Sequence, residues 1–276
     1  MNNLEHLINK NYKSLKSRCH QKFCGEASDV CYCKCLAEVI GYQQSVIPSG
    51  LSKLEFSDFN GKTDREEIIS NNCASLALSK ISEFCFGSPV LLKSKDRKTL
   101  NQSSIMDERF NNGSMVFIHG EKWSRNKKSS TLPLGRSLVA SLILKEAIWR
   151  RLFANNIAYS YHYSMMSKIK SDIFDKSDDS AIYHHSDWLV IDDIFSEPDK
   201  MQSICLDRIT SQRISRNLPC IICFEFDLFK KENLGSIVGR YIPKLLYGED
   251  TFLINLGQHE YCLLYTSPSP RDGLLS

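Results

Sequence analysis

The sequence lacks the features of a membrane or secreted protein. Its apolar runs all fall short of the roughly 20 residues that a membrane-spanning helix needs. Residues 1–6 lack the basic and then apolar pattern of a secretory signal. The formal net charge is only +3, so overall charge argues neither for nor against nucleic acid as a partner. We therefore expect a soluble, cytoplasmic protein that makes no contact with membranes.

The composition is that of a globular protein with unevenly distributed cysteine. The 276 residues are 42% hydrophobic and 24% charged, which suits one large or two small globular units. Of the eleven cysteines, five lie between Cys19 and Cys35. The others are scattered, and in a reducing cytosol they are expected to be small buried hydrophobes. The cluster needs a separate explanation.

The cysteine cluster predicts a zinc site. It follows a predicted amphipathic helix over 4–17 and has the spacing C-x4-C-x6-C-x-C-x-C. Tetrahedral zinc takes four thiolate or imidazole ligands, which this spacing can supply. The expected ligands are Cys19, Cys24, Cys31 and Cys33, with Cys35 or His20 as substitutes. The alternative is a set of metal-free thiols in a disordered leader.

Breaks in composition divide the chain. Pro48 and Gly50 mark a boundary, so we place a small N-terminal zinc module at 1–46 and the main domain at 47–261. Residues 262–276 abandon the hydrophobic periodicity and resemble an adapter-derived read-through. We therefore treat that tail as non-native and exclude it from the fold.

The main domain alternates short apolar runs with segments of helical periodicity. The predicted strands are Met115–His119, Ile157–His162, Trp188–Asp192, Pro219–Phe224 and Thr251–Leu256. Alternating strands and helices with short connections indicate a parallel sheet with right-handed crossovers. The fold class expected is α/β, a five-stranded parallel sheet with flanking helices.

The third predicted strand ends in two adjacent acids, Asp192 and Asp193. Ligands of open α/β sheets lie at the carboxyl ends of the strands, so both acids are expected at the functional edge. A Mg-nucleotide site needs one carboxylate for the metal and another to orient water. The alternative is a buried strand that simply enters a turn.

A stretched phosphate loop precedes the acids. Gly120 follows the first strand, and Gly135, Arg136 and Ser137 open a helix, in the order of a G-x-x-x-x-G-K-[ST] loop. Fourteen residues separate the glycines, and arginine replaces lysine. Arginine keeps the charge but is a planar fork, so the exchange is not conservative. The basic insertion 121–134 is either a loop near phosphates or DNA, or a solvated surface loop.

These parts resemble the DnaC/IstB family of AAA+ ATPases, which includes helicase loaders and transposition helpers. The resemblance covers roughly residues 19–256 and rests on several short motifs. They are Cys19 and Cys24 with Gly25, Cys31-Tyr32-Cys33, Ile47-Pro48, Phe56-Ser57-Asp58-Phe59, and Leu189–Asp193 in the place of Walker B. The resemblance implies a P-loop AAA+ type of sheet, Mg²⁺ held through Ser137 and Asp192, and Asp193 polarising the attacking water.

The same resemblance suggests roles for three later residues. Glu225 falls where the family has a polar sensor asparagine, and Arg240 and Lys244 fall on two basic positions near Gly239–Gly248. In the family such an arginine faces a neighbouring subunit's nucleotide, which implies a homo-oligomer with nucleotide at its interfaces. An ionised Glu225 cannot donate a hydrogen bond to the γ-phosphate.

The resemblance implies a DNA replication accessory protein that binds ATP and single-stranded DNA and helps place a replicative helicase on DNA. An IstB-like transposition helper is the alternative within the family. A third possibility is an adaptor with a degenerate nucleotide site, because Arg136, Glu225 and the stretched loop all depart from the pattern. We expect ATP, Mg²⁺ and Zn²⁺ as cofactors and weak or absent hydrolysis.

Overall fold

The computed structural model describes residues 3–16, 32–52, 112–120, 136–149, 156–194, 200–226, 228 and 251–256. Within these ranges one sheet contains the strands β1 (Met115–His119), β2 (Ile157–Tyr161), β3 (Trp188–Ile194), β4 (Cys220–Phe224) and β5 (Thr251–Asn255). The order across the sheet is β2-β3-β4-β1-β5, and neighbouring strands pair in parallel. The predicted α/β fold with a five-stranded parallel sheet and flanking helices is confirmed.

Seven helices lie within the described ranges. They are α1 (Asn3–Lys16), α2 (Tyr32–Gln44), α3 (Ser49–Ser52), α4 (Arg136–Trp149), α5 (His162–Asp175), α6 (Ala181–His185) and α7 (Lys200–Ser215). None of them combines the length and the apolar character needed to cross a bilayer. The second predicted strand stops one residue early, because His162 is the first residue of α5 and is buried.

The central strands are covered on both faces. Every residue of β1 and β4 is buried, as expected for apolar strands in the middle of a parallel sheet. On one face α4 packs apolar side chains such as Val139, Leu142 and Ile143 against Ile118 and Val190. On the other face α5 and α7 supply Met165, Leu206 and Ile209 to a second cluster. The sheet thus separates two hydrophobic cores.

The N-terminal helices α1 and α2 pack closely together. Gly41 permits this approach, because a Cβ there would lie 2.7 Å from Cγ1 of Ile8. The amide of Asn11 donates a hydrogen bond to the Gln44 side chain at 3.0 Å, and the pair is buried. Ile40 of α2 and Ile47, which follows it, belong to the same core as α4, so α2 packs against the α4 side of the sheet. Residues 17–31 and 53–111 lie outside the described ranges, and the division into domains at residue 47 stays a prediction.

The side chain of Arg213 on α7 links the segments that lead into β3 and β4. Its side chain is fully buried. One guanidinium nitrogen donates to the Tyr183 carbonyl at 3.0 Å and to the Ser186 hydroxyl at 3.2 Å. The other donates to the carbonyls of Asp187 at 3.4 Å and Pro219 at 2.7 Å. These bonds join α7 to the residues that precede β3 and β4 and so fix the start of both strands.

Candidate functional site

The carboxyl ends of three parallel strands meet at one edge of the sheet. Gly120 follows β1, Asp192 and Asp193 lie near the carboxyl end of β3, and Glu225 follows β4. β4 lies between β1 and β3, so the phosphate-loop strand and the acidic strand are separated by one strand. Helix α4 begins at this same edge with Arg136. The structure therefore brings five of the predicted site residues together.

Asp192 is buried, and both of its carboxylate oxygens accept hydrogen bonds. The hydroxyl of Tyr159 donates to Oδ2 at 2.5 Å, and the backbone N–H of Asp193 donates to Oδ1 at 3.0 Å. The pairing of β3 with β4 shifts register between Ile191 and Ile194. Asp192 and Asp193 therefore lie in an irregular part of the strand. This irregularity positions the Asp192 carboxylate.

Asp193 has a φ of +58°, in the left-handed region that a residue other than glycine seldom occupies. Such a conformation costs about 1–3 kcal/mol. Lys176 and Asn217, outside this edge, also have a positive φ. Here the conformation belongs to the residue whose N–H holds Asp192. The side chain of Asp193 is half-buried, in contrast to the fully buried Asp192.

The environment of Asp192 keeps its neighbours protonated. Burial, and then the negative charge of Asp192, raises the pKa of the Tyr159 hydroxyl above its ordinary value. Burial followed by the same charge raises the pKa of the Cys223 thiol and that of the half-exposed Tyr161. A protonated Tyr159 hydroxyl can donate to the carboxylate, which agrees with the observed bond.

Arg136 joins the ends of β1 and β4. One guanidinium nitrogen donates to the Gly120 carbonyl at 2.8 Å, and the other lies 3.3 Å from Oε1 of Glu225. Gly120 has a φ of +149°, and its N–H donates to the Phe226 carbonyl at 3.2 Å. The positive charge predicted to face phosphate is thus paired with a carboxylate of the chain itself. Ser137, the next residue of α4, is half-buried.

The residues at this edge fit a magnesium nucleotide in chemical type. Carboxylate oxygens are ligands that Mg²⁺ prefers, and each has lone pairs beyond the one used by its present donor. The N–H groups at the start of α4 are of the kind that bind phosphate. The roles of Gly120, Arg136, Ser137, Asp192 and Glu225 nevertheless stay predictions. Gly135, Arg240 and Lys244 lie outside the described residues.

Two cysteines of the predicted zinc module lie on α2. Cys33 belongs to its buried face together with Ala37 and Ile40, whereas Cys35 is exposed. Residues two apart on a helix point in different directions, so Cys33 and Cys35 do not converge on one ion. The part of the chain that the structure describes holds no group of three metal-ligating side chains. Cys19, His20, Cys24 and Cys31 lie outside that part, and the zinc site stays a prediction.

Tyr159 is a site residue that the sequence pattern did not select. It lies on β2, and the register pairs Tyr161 with Asp192 in β3. Side chains alternate between faces along a strand, so Tyr159 and Tyr161 share the face of Asp192. The available signal was two tyrosines at alternate positions near the end of a predicted strand.

No protein-family description matches the chain, and no curated protein matches it. Among solved structures, the crystal structure of DnaI is similar with a TM-score of 0.44 and 14% sequence identity. That match covers 79% of this chain and 98% of the DnaI chain. These comparisons do not assign the chain to a family.

Proposed function

We infer that this protein is a nucleotide-binding accessory factor of the P-loop AAA+ type that helps place a replicative helicase on single-stranded DNA. The observation that carries the inference is the edge where Asp192 and Asp193 lie with Arg136 and Gly120. The loader role itself derives from the resemblance of the sequence to DnaC-like proteins. The resemblance also implies the helicase and single-stranded DNA as partners.

At the proposed site the N–H groups at the start of α4 would face the phosphates of ATP. Bound Mg²⁺ would neutralise charge on the β- and γ-phosphates. Asp192 and Ser137 would hold the ion, with Tyr159 fixing the Asp192 carboxylate through its 2.5 Å bond. Asp193 would orient water. Arg240 and Lys244 would contact nucleotide across the interface of a homo-oligomer.

Weak or absent hydrolysis is part of the proposal. The Arg136 guanidinium is paired with Glu225, and a carboxylate beside the phosphate position repels the γ-phosphate rather than donating to it. Binding without turnover would still serve a loader, because a ligand that prefers one conformation shifts the assembly equilibrium. The Arg136–Glu225 pair also favours the second candidate, an adaptor that binds helicase or DNA without hydrolysing nucleotide.

The test is the affinity for Mg-ATP, measured by calorimetry on the wild type, Arg136→Ala and Asp192→Asn. We expect each variant to bind at least about tenfold more weakly, since each removes a charged contact worth over 1.4 kcal/mol. Lys34→Ala removes an exposed cation on α2 and is the matched control. Folding of each variant is checked by circular dichroism.

The outcome separates the two candidates. Binding lost in both site variants and kept in the control supports the ATP-dependent loader, and a Mg-ATP-dependent complex with a replicative helicase on single-stranded DNA would extend it. A folded wild type that binds no Mg-ATP contradicts the loader and leaves the adaptor. Zinc analysis of the purified chain tests the Cys19, Cys24, Cys31 and Cys33 set, for which we expect about one ion per chain.

A further inference from the structure

A groove lies on the face of the sheet opposite α4. It has a volume of about 530 Å³ and runs between α5, α6 and α7. Arg136 belongs to α4, and Asp192 is bonded to Tyr159, which packs on the same core as α4. Helices α5 and α7 pack on the second hydrophobic core. The groove is therefore separate from the proposed nucleotide site.

One side of α7 forms a long wall of the groove. Its lining residues Met201, Ile204, Arg208 and Gln212 recur at helical spacing, and Arg216 follows in the turn directly after the helix. Residues three and four apart share one face of a helix, so these side chains form a continuous stripe. At 1.5 Å per residue the part of the stripe on α7, from Met201 to Gln212, is about 16 Å long, and Arg216 extends it to about four helical turns.

The first half of this stripe is apolar and faces solvent. Ile204 is 57% exposed, and Ile173 of α5, across the groove, is 55% exposed. Met201 is also exposed. Large apolar side chains that gather on one surface, rather than being scattered singly, mark sites of interaction.

The second half of the stripe is basic. Arg208 and Arg216 are exposed and face His184 and His185 of α6. Arg216 donates to Nδ1 of His185 at 2.9 Å. Burial, and then the charge of Arg208, lowers the pKa of His184. The positively charged side chains are thus concentrated at the end of the groove opposite Met201 and Ile204.

The acids that line the groove do not neutralise this basic end. The carboxylate of Asp172 accepts hydrogen bonds from the Ser177 hydroxyl and from the N–H groups of Asp179 at 2.9 Å and Ser180 at 2.7 Å. Asp172 makes no ion pair with Arg208 or Arg216 and instead holds the turn that joins α5 to α6. Asp178 is an exposed residue of the same turn. An anionic partner can reach Arg208 and Arg216.

We propose that this groove binds an acidic amphipathic helix of a partner protein, with apolar side chains on Ile173, Met201 and Ile204 and carboxylates on Arg208 and Arg216. The length of the stripe and its division into an apolar and a basic half match the helix-in-groove mode of recognition. Single-stranded DNA fits less well. Stacking on aromatic side chains supplies much of its affinity, and no Phe, Tyr or Trp occurs among the described residues that line the groove.

The probe is a fluorescein-labelled designed peptide of about four helical turns, with leucines at helical spacing and glutamates towards one end. A scrambled peptide of the same composition is the comparison. Anisotropy titrations with the full chain are expected to show the amphipathic peptide binding at least about tenfold more tightly than the scrambled one.

Variants of the groove test where the peptide binds. Arg208→Glu/Arg216→Glu and, separately, Ile204→Asp are each expected to weaken peptide binding at least about tenfold. Lys13→Glu/Lys34→Glu reverses the same number of exposed charges on α1 and α2 and is expected to change binding less than about twofold. Circular dichroism confirms that each variant is folded. Arg136→Ala is expected to leave peptide binding unchanged, which separates this proposal from the nucleotide site.

Three results would overturn the proposal. The first is that folded wild-type protein binds neither peptide. The second is that the scrambled peptide binds as tightly as the amphipathic one, which would show attraction by charge alone. The third is that a single-stranded oligonucleotide binds instead of the peptide and depends on Arg208 and Arg216 but not on Ile204. That pattern would make the groove a nucleic-acid site.

Discussion

The hydroxyl of Tyr159 on β2 lies 2.5 Å from Oδ2 of Asp192 on the adjacent strand β3 and donates a hydrogen bond to it. The carboxylate is fully buried, so this donor replaces water that the group would otherwise bind. The second oxygen is held by the N–H of Asp193, whose backbone is in the left-handed region. One side chain and one strained peptide therefore fix the acid that we expect to face Mg²⁺.

Tyr159→Phe should destabilise the protein. The variant keeps the ring but removes a hydrogen bond to a buried carboxylate, which typically contributes about 1.5–3 kcal/mol to the free energy of unfolding. Urea denaturation measures this loss. Tyr163→Phe, at a tyrosine that is 79% exposed on α5, should change stability by less than about 0.5 kcal/mol.

A double-mutant cycle with Asp192→Asn shows whether the loss in Tyr159→Phe belongs to this bond. We expect a coupling energy of at least about 1 kcal/mol between the two substitutions, because the residues are in direct contact. Additive effects would mean that the hydroxyl contributes nothing through Asp192.

Arg213→Lys should also be destabilising, by about 3 kcal/mol. The planar guanidinium donates to four acceptors in different segments, and an ammonium group cannot reach them all in that geometry. Burial lowers the pKa of Arg213, so the side chain already carries a desolvation cost that these bonds offset. Denaturant unfolding gives the size of the loss.

Arg216→Lys is the matched control for Arg213→Lys. Arg216 lies on the same helix end but is exposed, and its bond to His185 is at the surface. We expect the free energy of unfolding of Arg216→Lys to stay within about 0.5 kcal/mol of the wild-type value. Equal losses in the two variants would show that the carbonyl contacts of Arg213 are not the cause.

The strands could be predicted from sequence because each is a short run of apolar residues. β1 has the predicted bounds, Met115–His119. β3 continues beyond the predicted end at Asp192 because Ile194 pairs again with Phe224 after the irregularity. Local patterns do not contain the order of strands in the sheet, which depends on contacts between distant residues.

The residues of the candidate site also divide into those that a local sequence pattern reveals and those that depend on contacts between distant residues. Asp192 and Asp193 follow an apolar run and were predicted, whereas the Tyr159 bond depends on the pairing of β2 with β3. Arg136 and Glu225 are 89 residues apart in the chain, and no local pattern joins them. The sequence analysis did not select Arg213, although its spacing from Leu206 and Ile209 places it on the buried face of α7.

The stabilising contribution of the Asp172 carboxylate should be lost at acidic pH. Hydrogen bonds from Ser177 and then Ser180 lower its pKa from 3.8 to about 2. A carboxyl with a lower pKa in the folded state stabilises the fold above its unfolded pKa. That contribution is lost as the pH falls through about 4 towards 2.

Denaturant unfolding of the wild type and Asp172→Asn checks this sign. The wild type should be the more stable of the two at pH 6, and the difference should shrink as the pH approaches 2. Asp179→Asn is the control, since it keeps the backbone N–H that donates to Asp172. A difference between wild type and Asp172→Asn that is the same at both pH values would contradict the assignment.

Glu225→Gln should strengthen nucleotide binding if the proposed site is correct. The glutamate carboxylate lies 3.3 Å from Arg136 and competes with phosphate for the guanidinium. Glutamine has nearly the same shape without the charge, so the guanidinium becomes available and repulsion of the triphosphate is removed. We expect Mg-ATP to bind about tenfold more tightly, equal to about 1.4 kcal/mol, as measured by calorimetry.

Glu38→Gln on α2 removes one negative charge elsewhere and should leave the affinity unchanged. Unchanged or weaker binding in Glu225→Gln would mean that the glutamate does not compete with phosphate and that Arg136 serves to join β1 and β4.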